Sequence, residues 1–331
     1  MAIVVAVTGA SGFVGKELVS GLSSRGFKVR PIIRSDRSSL CLEKFDKNYV
    51  ALGEINSQTD WSRALLGVNC VVHCAARTEI LGKNESDTIA EFRSVNVEGT
   101  QRLAEQAAKN GVSRLVFLSS LKVNGETTDG LSAPFGSLSD NANIVDASVK
   151  NEGCPVRPYE ISKWEAEQVL WDISARTGLE VVVVRPPLIY GVGVKGNLKR
   201  LLALLRSGIP LPLAAVQNRR SLIGLENLVD LLICCVQHPA ASGKVLLVSD
   251  GVDLSTPDLL RLMAESMGRP ARLFPVPLSV LRFAADALGM GADIDRLVRS
   301  LQVDSSYARK VLNWTPPVSI RDGIQRMVQG T

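Results

Sequence analysis

The sequence predicts an α/β fold, a doubly wound parallel sheet carrying a smaller, mainly helical lobe. Three observations predict it. Short β-branched runs alternate with longer amphipathic segments through the first half of the chain, the pattern of βαβ units. A glycine-rich turn stands directly between the first run and the first helical segment. After Pro186-Pro187 the β-runs thin out and helical periodicity takes over.

The predicted strands of the first half are Ile3 to Val7, Val29 to Ile33, Tyr49 to Leu52, Cys70 to Cys74 and Leu115 to Leu118. Between them, Phe13 to Ser24, Asp60 to Leu66 and Ile89 to Lys109 place apolar residues three and four apart and read as crossover helices, with Asp60 as an N-cap. The stretch from Val123 to Pro158 is rich in Gly, Ser, Asp, Asn and Pro and reads as a long loop of the kind that carries function. A helix from Tyr159 to Arg176 and the wholly apolar strand Val181 to Val184 follow. Beyond them, helices are expected at Leu198 to Arg206, Leu225 to Gln237, Pro257 to Met267 and Leu278 to Leu288, with a strand at Val245 to Val248. The expected division is 1–186 for the sheet domain, with part of 215–250 returning to it, and 187–331 for the lobe.

Composition narrows the function. The chain has 331 residues, of which 46% are apolar and 21% charged, so it can bury a full core and has no disordered tract. A net charge of +5 without a basic run argues against nucleic acid as partner, while permitting an anionic small ligand. The six cysteines form no C-x-x-C pair, and Cys70, His73 and Cys74 lie in a core strand with no second ligand cluster, so no metal is expected. No secretory signal opens the chain, and Leu179 to Tyr190 and Leu228 to Val236 fall short of the roughly 18 residues that suggest a membrane span. A cytoplasmic protein with no membrane partner is the expectation.

Gly9-Ala-Ser11-Gly12-Phe13-Val14-Gly15 follows the first strand and opens the first helix. Glycines there allow strained turn angles and a close approach of phosphate to the main chain, and the helix start offers unpaired N–H groups. This is the turn of a Rossmann-type dinucleotide site. Its G-x-x-G-x-x-G spacing resembles that of the extended short-chain dehydrogenase/reductase family, and the resemblance covers nearly the whole chain. It implies that Glu54 and Ile55 approach the adenine, that Ala75, Ala76 and Arg77 line the cofactor, and that Asn96 ties helix to sheet. Arg34 and Arg37, near the end of the second strand, suit a ribose 2′-phosphate through forked guanidinium bonds, so NADP is favoured over NAD. Asp36 keeps NAD open.

Tyr159 and Lys163 are four apart and share one helix face. A tyrosine is a poor base near neutrality until an ammonium stabilises its phenolate. With Phe117-Leu-Ser119-Ser120 ending the fifth strand, the pair resembles the family's Ser, Tyr, Lys catalytic set. Ser120 is the expected hydroxyl and Ser119 its alternative. Lys163 and Tyr159 also count as cofactor contacts, with Pro186. His73 and His238 are poorly placed for a Ser-His-acid triad, His73 in a core strand and His238 before a proline.

Arg185-Pro-Pro-Leu-Ile-Tyr-Gly191 resembles the nucleotide-sugar branch of the family. That likeness implies a UDP-sugar substrate contacted by Ser120, Lys122, Asn197, Arg220 and Arg299, and a homodimer through Ile89 to Lys109 and Tyr159 to Arg176. Two reactions at the sugar C4 use this set: reduction of a UDP-4-keto-6-deoxy-N-acetylhexosamine in surface-polysaccharide synthesis, and 4-epimerisation of UDP-glucose or UDP-N-acetylglucosamine with retained NAD. Arg34 favours the reductase. A carbonyl or hydroxysteroid reductase is the third possibility, disfavoured by the polar Asn197 and Arg220.

Overall fold

The computed structural model describes residues 2–35, 49–78, 89–130, 133–135 and 157–330. Its strands are β1 (Val4–Thr8), β2 (Lys28–Ile33), β3 (Val50–Ala51), β4 (Cys70–His73), β5 (Arg114–Leu118), β6 (Glu180–Arg185), β7 (Leu188–Tyr190), β8 (Arg220–Gly224), β9 (Lys244–Leu247) and β10 (Asp253–Leu254). Seven of them form one parallel sheet in the order β3-β2-β1-β4-β5-β6-β9. The order reverses between β1 and β4, and the crevice outside the carboxyl ends of strands at such a reversal is where α/β sheets bind ligands.

The helices are α1 (Phe13–Ser24), α2 (Ser62–Leu65), α3 (Ile89–Arg93), α4 (Gly99–Lys109), α5 (Pro158–Thr177), α6 (Asn197–Ser207), α7 (Leu225–Gln237), α8 (Thr256–Ser266), α9 (Leu278–Ala287), α10 (Gly291–Val298), α11 (Ser306–Leu312) and α12 (Ile320–Gln329). One face of the sheet is covered by α1, α7 and α11 through Leu18, Leu22, Leu228, Leu232 and Leu312, the other by α2, α4 and α5 through Leu65, Leu103, Leu170 and Ile173. Covered on both sides, β6 buries Val181 to Val184 completely. The strand β9 pairs with β6. A third core joins α6, α8, α9 and α12 around Leu202, Leu260, Leu281 and Met327.

Two sequence expectations are refined. The helix expected over Ile89 to Lys109 is broken by a wide π-helical turn, Ser94–Glu98, which holds Asn96. Such turns accommodate an inserted residue and recur at functional sites. Asp60 caps one step early: its carboxylate accepts from the Ser62 N–H at 3.0 Å and the Ser62 hydroxyl at 2.7 Å. The small sheet β10-β8-β7 went unread, its strands being too short to show a period.

Candidate active site

The β1–α1 turn is shaped by its glycines. Gly9 has φ +65°, and a Cβ there would lie 2.8 Å from the Ala75 nitrogen; a Cβ on Gly15 would lie 2.2 Å from the Gly9 oxygen. Both are demanded by the protein's own backbone. Gly12 differs: it is exposed, its N–H donates to Gly9 O at 2.8 Å, and it precedes α1 with no side-chain cap. The N–H groups of Phe13, Val14 and Gly15 belong to the first turn of α1, which lacks intrahelical acceptors for them, and the adjoining Gly12 is exposed. Unpaired N–H groups at a helix start are the kind of donor set that would hold a dinucleotide pyrophosphate.

Around it lie the other expected cofactor residues. Ala75 N donates to Thr8 Oγ1 at 3.1 Å, fixing the end of β4 against β1. Asn96 accepts from Arg77 N at 2.8 Å and donates to Arg77 O at 3.0 Å and Ser162 Oγ at 2.9 Å, so it joins the loop of Ala75, Ala76 and Arg77 to the helix bearing Lys163. Arg77 itself pairs with Glu91 at 2.6 Å and stands over the Phe92 ring. Arg34 is exposed at the end of β2, its carbonyl accepting from Gly53 N at 2.9 Å. Glu54 is exposed and Ile55 packs on Gly99. Arg37 and Asp36 lie outside the described residues.

The chemical residues converge at the carboxyl ends of β4 and β5. Ser119 N donates to Val184 O at 2.8 Å and Leu121 N to Pro186 O at 2.9 Å, so the segment holding Ser120 is stitched to β6 on both sides. The Ser120 hydroxyl accepts from Lys122 N at 3.3 Å, which leaves its own proton to donate. Lys163 is buried; its ammonium donates to Leu118 O at 2.8 Å and sits 4.3 Å from the Phe117 ring centre. Burial pushes it down to about 8. Tyr159 lies one turn earlier on α5, half-buried, its ring edge-on to Phe92 at 6.4 Å.

Behind these residues is a network the sequence did not reveal. The Ser119 hydroxyl donates to Glu167, which also receives Arg185 through two hydrogen bonds, and Arg185 reaches Asn124 Oδ1 at 3.0 Å. Glu167 and Arg185 are both buried. Ser119 is therefore committed to this buried network, whereas the Ser120 hydroxyl is half-buried and accepts from Lys122 N. The available signal was the spacing of Tyr159, Lys163 and Glu167, one stripe at four-residue intervals. A second unread cluster lies between the Ser120 loop and the start of α5. Lys122 Nζ is 3.2 Å from Glu160 and 3.6 Å from Glu126, and Arg157 Nε is 2.8 Å from Glu126. Burial raises the Glu160 carboxyl above its usual range, against the pull of Lys122.

His73 bridges Thr8 Oγ1 at 2.7 Å and Thr100 Oγ1 at 3.0 Å, occupying both ring nitrogens, and burial pushes it down to about 3, so it is a neutral core residue. On the lobe side, Asn197 is the first residue of α6. Arg220 donates to the carbonyls of Arg296 and Arg299 at the end of α10, and Arg299 is exposed, 3.4 Å from Asp295. Arg220 and Arg299 are thus brought together. Tyr190 is buried, its hydroxyl donating to Asp250 at 2.6 Å. Among the described residues no cluster could hold a metal ion, and no helix is long and apolar enough to cross a membrane.

Comparison with known proteins shows the family and the fold. The NAD dependent epimerase/dehydratase family matches residues 5–248. A UDP-glucose 4-epimerase of Vibrio cholerae is 37% identical over 325 residues, 98% of this chain and 94% of the relative. The N-acetyl-α-D-glucosaminyl-diphospho-ditrans,octacis-undecaprenol 4-epimerase of Escherichia coli O157:H7 is 27% identical over 98% of this chain and 94% of its own length. Among solved structures, a UDP-glucuronic acid 4-epimerase from Bacillus cereus in complex with NAD superimposes with a TM-score of 0.74 at 17% identity, covering 99% of this chain and 98% of that one.

Proposed function

The chain belongs to the NAD dependent epimerase/dehydratase family, and on that premise we propose that it is a nucleotide-sugar 4-epimerase acting on UDP-hexoses through Ser120, Tyr159 and Lys163. The observation that supports the proposal is the Lys163 ammonium held on Leu118 O at the carboxyl end of β5, two residues before Ser120, in a sheet whose order reverses beside the uncapped start of α1. A nicotinamide cofactor, when bound, supplies the hydride acceptor and donor for the sugar C4. Ser11, Gly12 and the first turn of α1 would hold its pyrophosphate, and Lys163 its ribose.

The chain's own residues manage the proton. Tyr159 takes it from the C4 hydroxyl and returns it at the end of the cycle, its phenolate stabilised by the Lys163 ammonium on the same helix face. Ser120 donates a hydrogen bond to the same oxygen, matching the charge that develops there. Arg220 and Arg299 supply charge for the substrate diphosphate. The same reading includes a homodimer through α4 and α5 and a cytoplasmic location, tested by sedimentation and fractionation.

The sequence by itself favoured a 4-ketoreductase; the full-length likeness to a UDP-glucose 4-epimerase supports epimerisation instead. Reduction of a UDP-4-keto-6-deoxy-N-acetylhexosamine with NADP stays as the second reading because Arg34 stands exposed at the end of β2, where it suits a 2′-phosphate. Purified protein is offered UDP-glucose and UDP-N-acetylglucosamine with NAD, and products are read by proton NMR. The C4 epimers are expected. No epimer, together with NADPH consumption on the 4-keto sugar, replaces the first reading with the second.

A further inference from the structure

Helix α9 turns its apolar stripe the wrong way for a core helix. Leu281 and Ala285 are buried against the lobe, yet Val280, Phe283, Ala284, Ala287 and Leu288, spaced as one helix face, point to solvent. Phe283 is 78% exposed, Leu288 74% and Val280 54%. Seven of the twelve large apolar side chains exposed among the described residues fall in two short stretches: Leu204 and Ile209 in one, Phe274, Val280, Phe283, Leu288 and Met290 in the other. These stretches adjoin, since Leu211 N donates to Arg272 O at 2.8 Å and Phe274 N to Leu211 O at 3.0 Å. Scattered exposed apolar residues need no explanation, but a concentrated set marks an interaction surface.

Charge identifies the partner. Residues 197–211 and 269–290 contain Lys199, Arg200, Arg206, Arg269, Arg272 and Arg282 against one acid, Asp286, and with Asp293 and Asp295 counted the excess is still three positive charges. Arg200 and Arg282 lie within 4 Å of Asp293 and Asp295, whereas Lys199, Arg206, Arg269 and Arg272 have no ion pair among the described residues. A second copy docked by the same surface would set these like charges against each other. We propose that this surface docks on an anionic membrane: Phe283, Leu288 and Met290 enter the boundary between headgroups and acyl chains, and the flanking basic side chains meet lipid phosphates. The contact is peripheral, so it is compatible with the lack of a spanning helix among the described residues. It departs from the sequence-based expectation of no membrane partner, which rested on the absence of a secretory signal and of a spanning stretch.

The test is co-sedimentation of the full chain with vesicles of mixed phosphatidylglycerol and phosphatidylcholine, and with phosphatidylcholine alone. The wild type is expected to pellet with the anionic vesicles and stay in solution with the neutral ones. Phe283→Glu combined with Leu288→Glu should abolish pelleting while keeping the wild-type thermal midpoint and turnover. Arg269→Gln and Arg272→Gln should each weaken vesicle binding about fivefold, and they decide the matter if the glutamate pair fails to fold. Wild type that ignores anionic vesicles overturns the proposal, as does undiminished binding by either pair of variants. A glutamate pair that halves the sedimenting mass would also overturn it, by showing that the stripe closes a dimer.

Discussion

The two regions that the proposed function brings together, the sheet side and the lobe side, are built on different principles. On the sheet side, the groups around Ser120 and Lys163 are locked by partners on other elements: Ser119 to Glu167, Glu167 to Arg185, Arg185 to Asn124, Asn96 to both Arg77 and Ser162. On the lobe side, Arg220 is tied to backbone carbonyls at the end of α10, and Arg299 stands in solvent beside Asp295. Proton and hydride transfer demand fixed distances, and a buried, fully paired network supplies them. On the proposed reading, holding a diphosphate asks only for charge within reach, which the guanidinium groups of Arg220 and Arg299 would provide.

The sharpest test of the sheet side is Tyr159→Phe, expected to cut turnover by about a hundredfold to ten-thousandfold while leaving cofactor affinity, measured by fluorescence titration, intact. Substantial remaining activity would move the chemistry away from α5. Next comes Glu167→Ala, which strands Arg185 as a buried, uncompensated charge. Urea denaturation should show a loss of about 3–5 kcal/mol, and an equal loss from Arg299→Ala, expected to stay within about 0.5 kcal/mol, would erase the contrast between the two sides.

Smaller effects belong to the lobe side. Arg220→Ala is expected to raise KM for the UDP-sugar by about tenfold to a hundredfold with kcat little changed, and a fall in kcat alone would instead make Arg220 part of the rigid machinery. A separate effect concerns pH. His73 sits near 3 in the folded chain against 6.5 unfolded, so below 6.5 the unfolded state binds the extra proton. Its contribution to stability is complete above pH 6.5 and is lost progressively as pH falls toward 3. Thermal midpoints of wild type and His73→Gln should therefore converge on acidification, and parallel curves would show that His73 does not titrate with unfolding.

Much of the sheet side was legible because its signals are local. A glycine turn between a strand and a helix, and a tyrosine and lysine one helical turn apart, need only steric limits and the helical period to be recognised. The lobe side was legible only as residue types. There Arg220 meets carbonyls 76 and 79 residues away, and on the sheet side the ion pairs of Lys122 with Glu160 and Glu126 were equally unread. The choice between Ser119 and Ser120 was likewise out of reach, since it turns on Glu167, 48 residues beyond Ser119.

By itself, then, the sequence determined the parallel α/β architecture and the glycine turn that opens α1, because each follows from backbone sterics or periodicity within a few residues, while family resemblance supplied Ser120, Tyr159 and Lys163 as the expected catalytic set. Tertiary structure alone decided which serine is spent on the Glu167–Arg185 pair, which charges neutralise one another, and which face of α9 meets solvent. Those outcomes depend on burial and on partners distant along the chain. No local pattern encodes them.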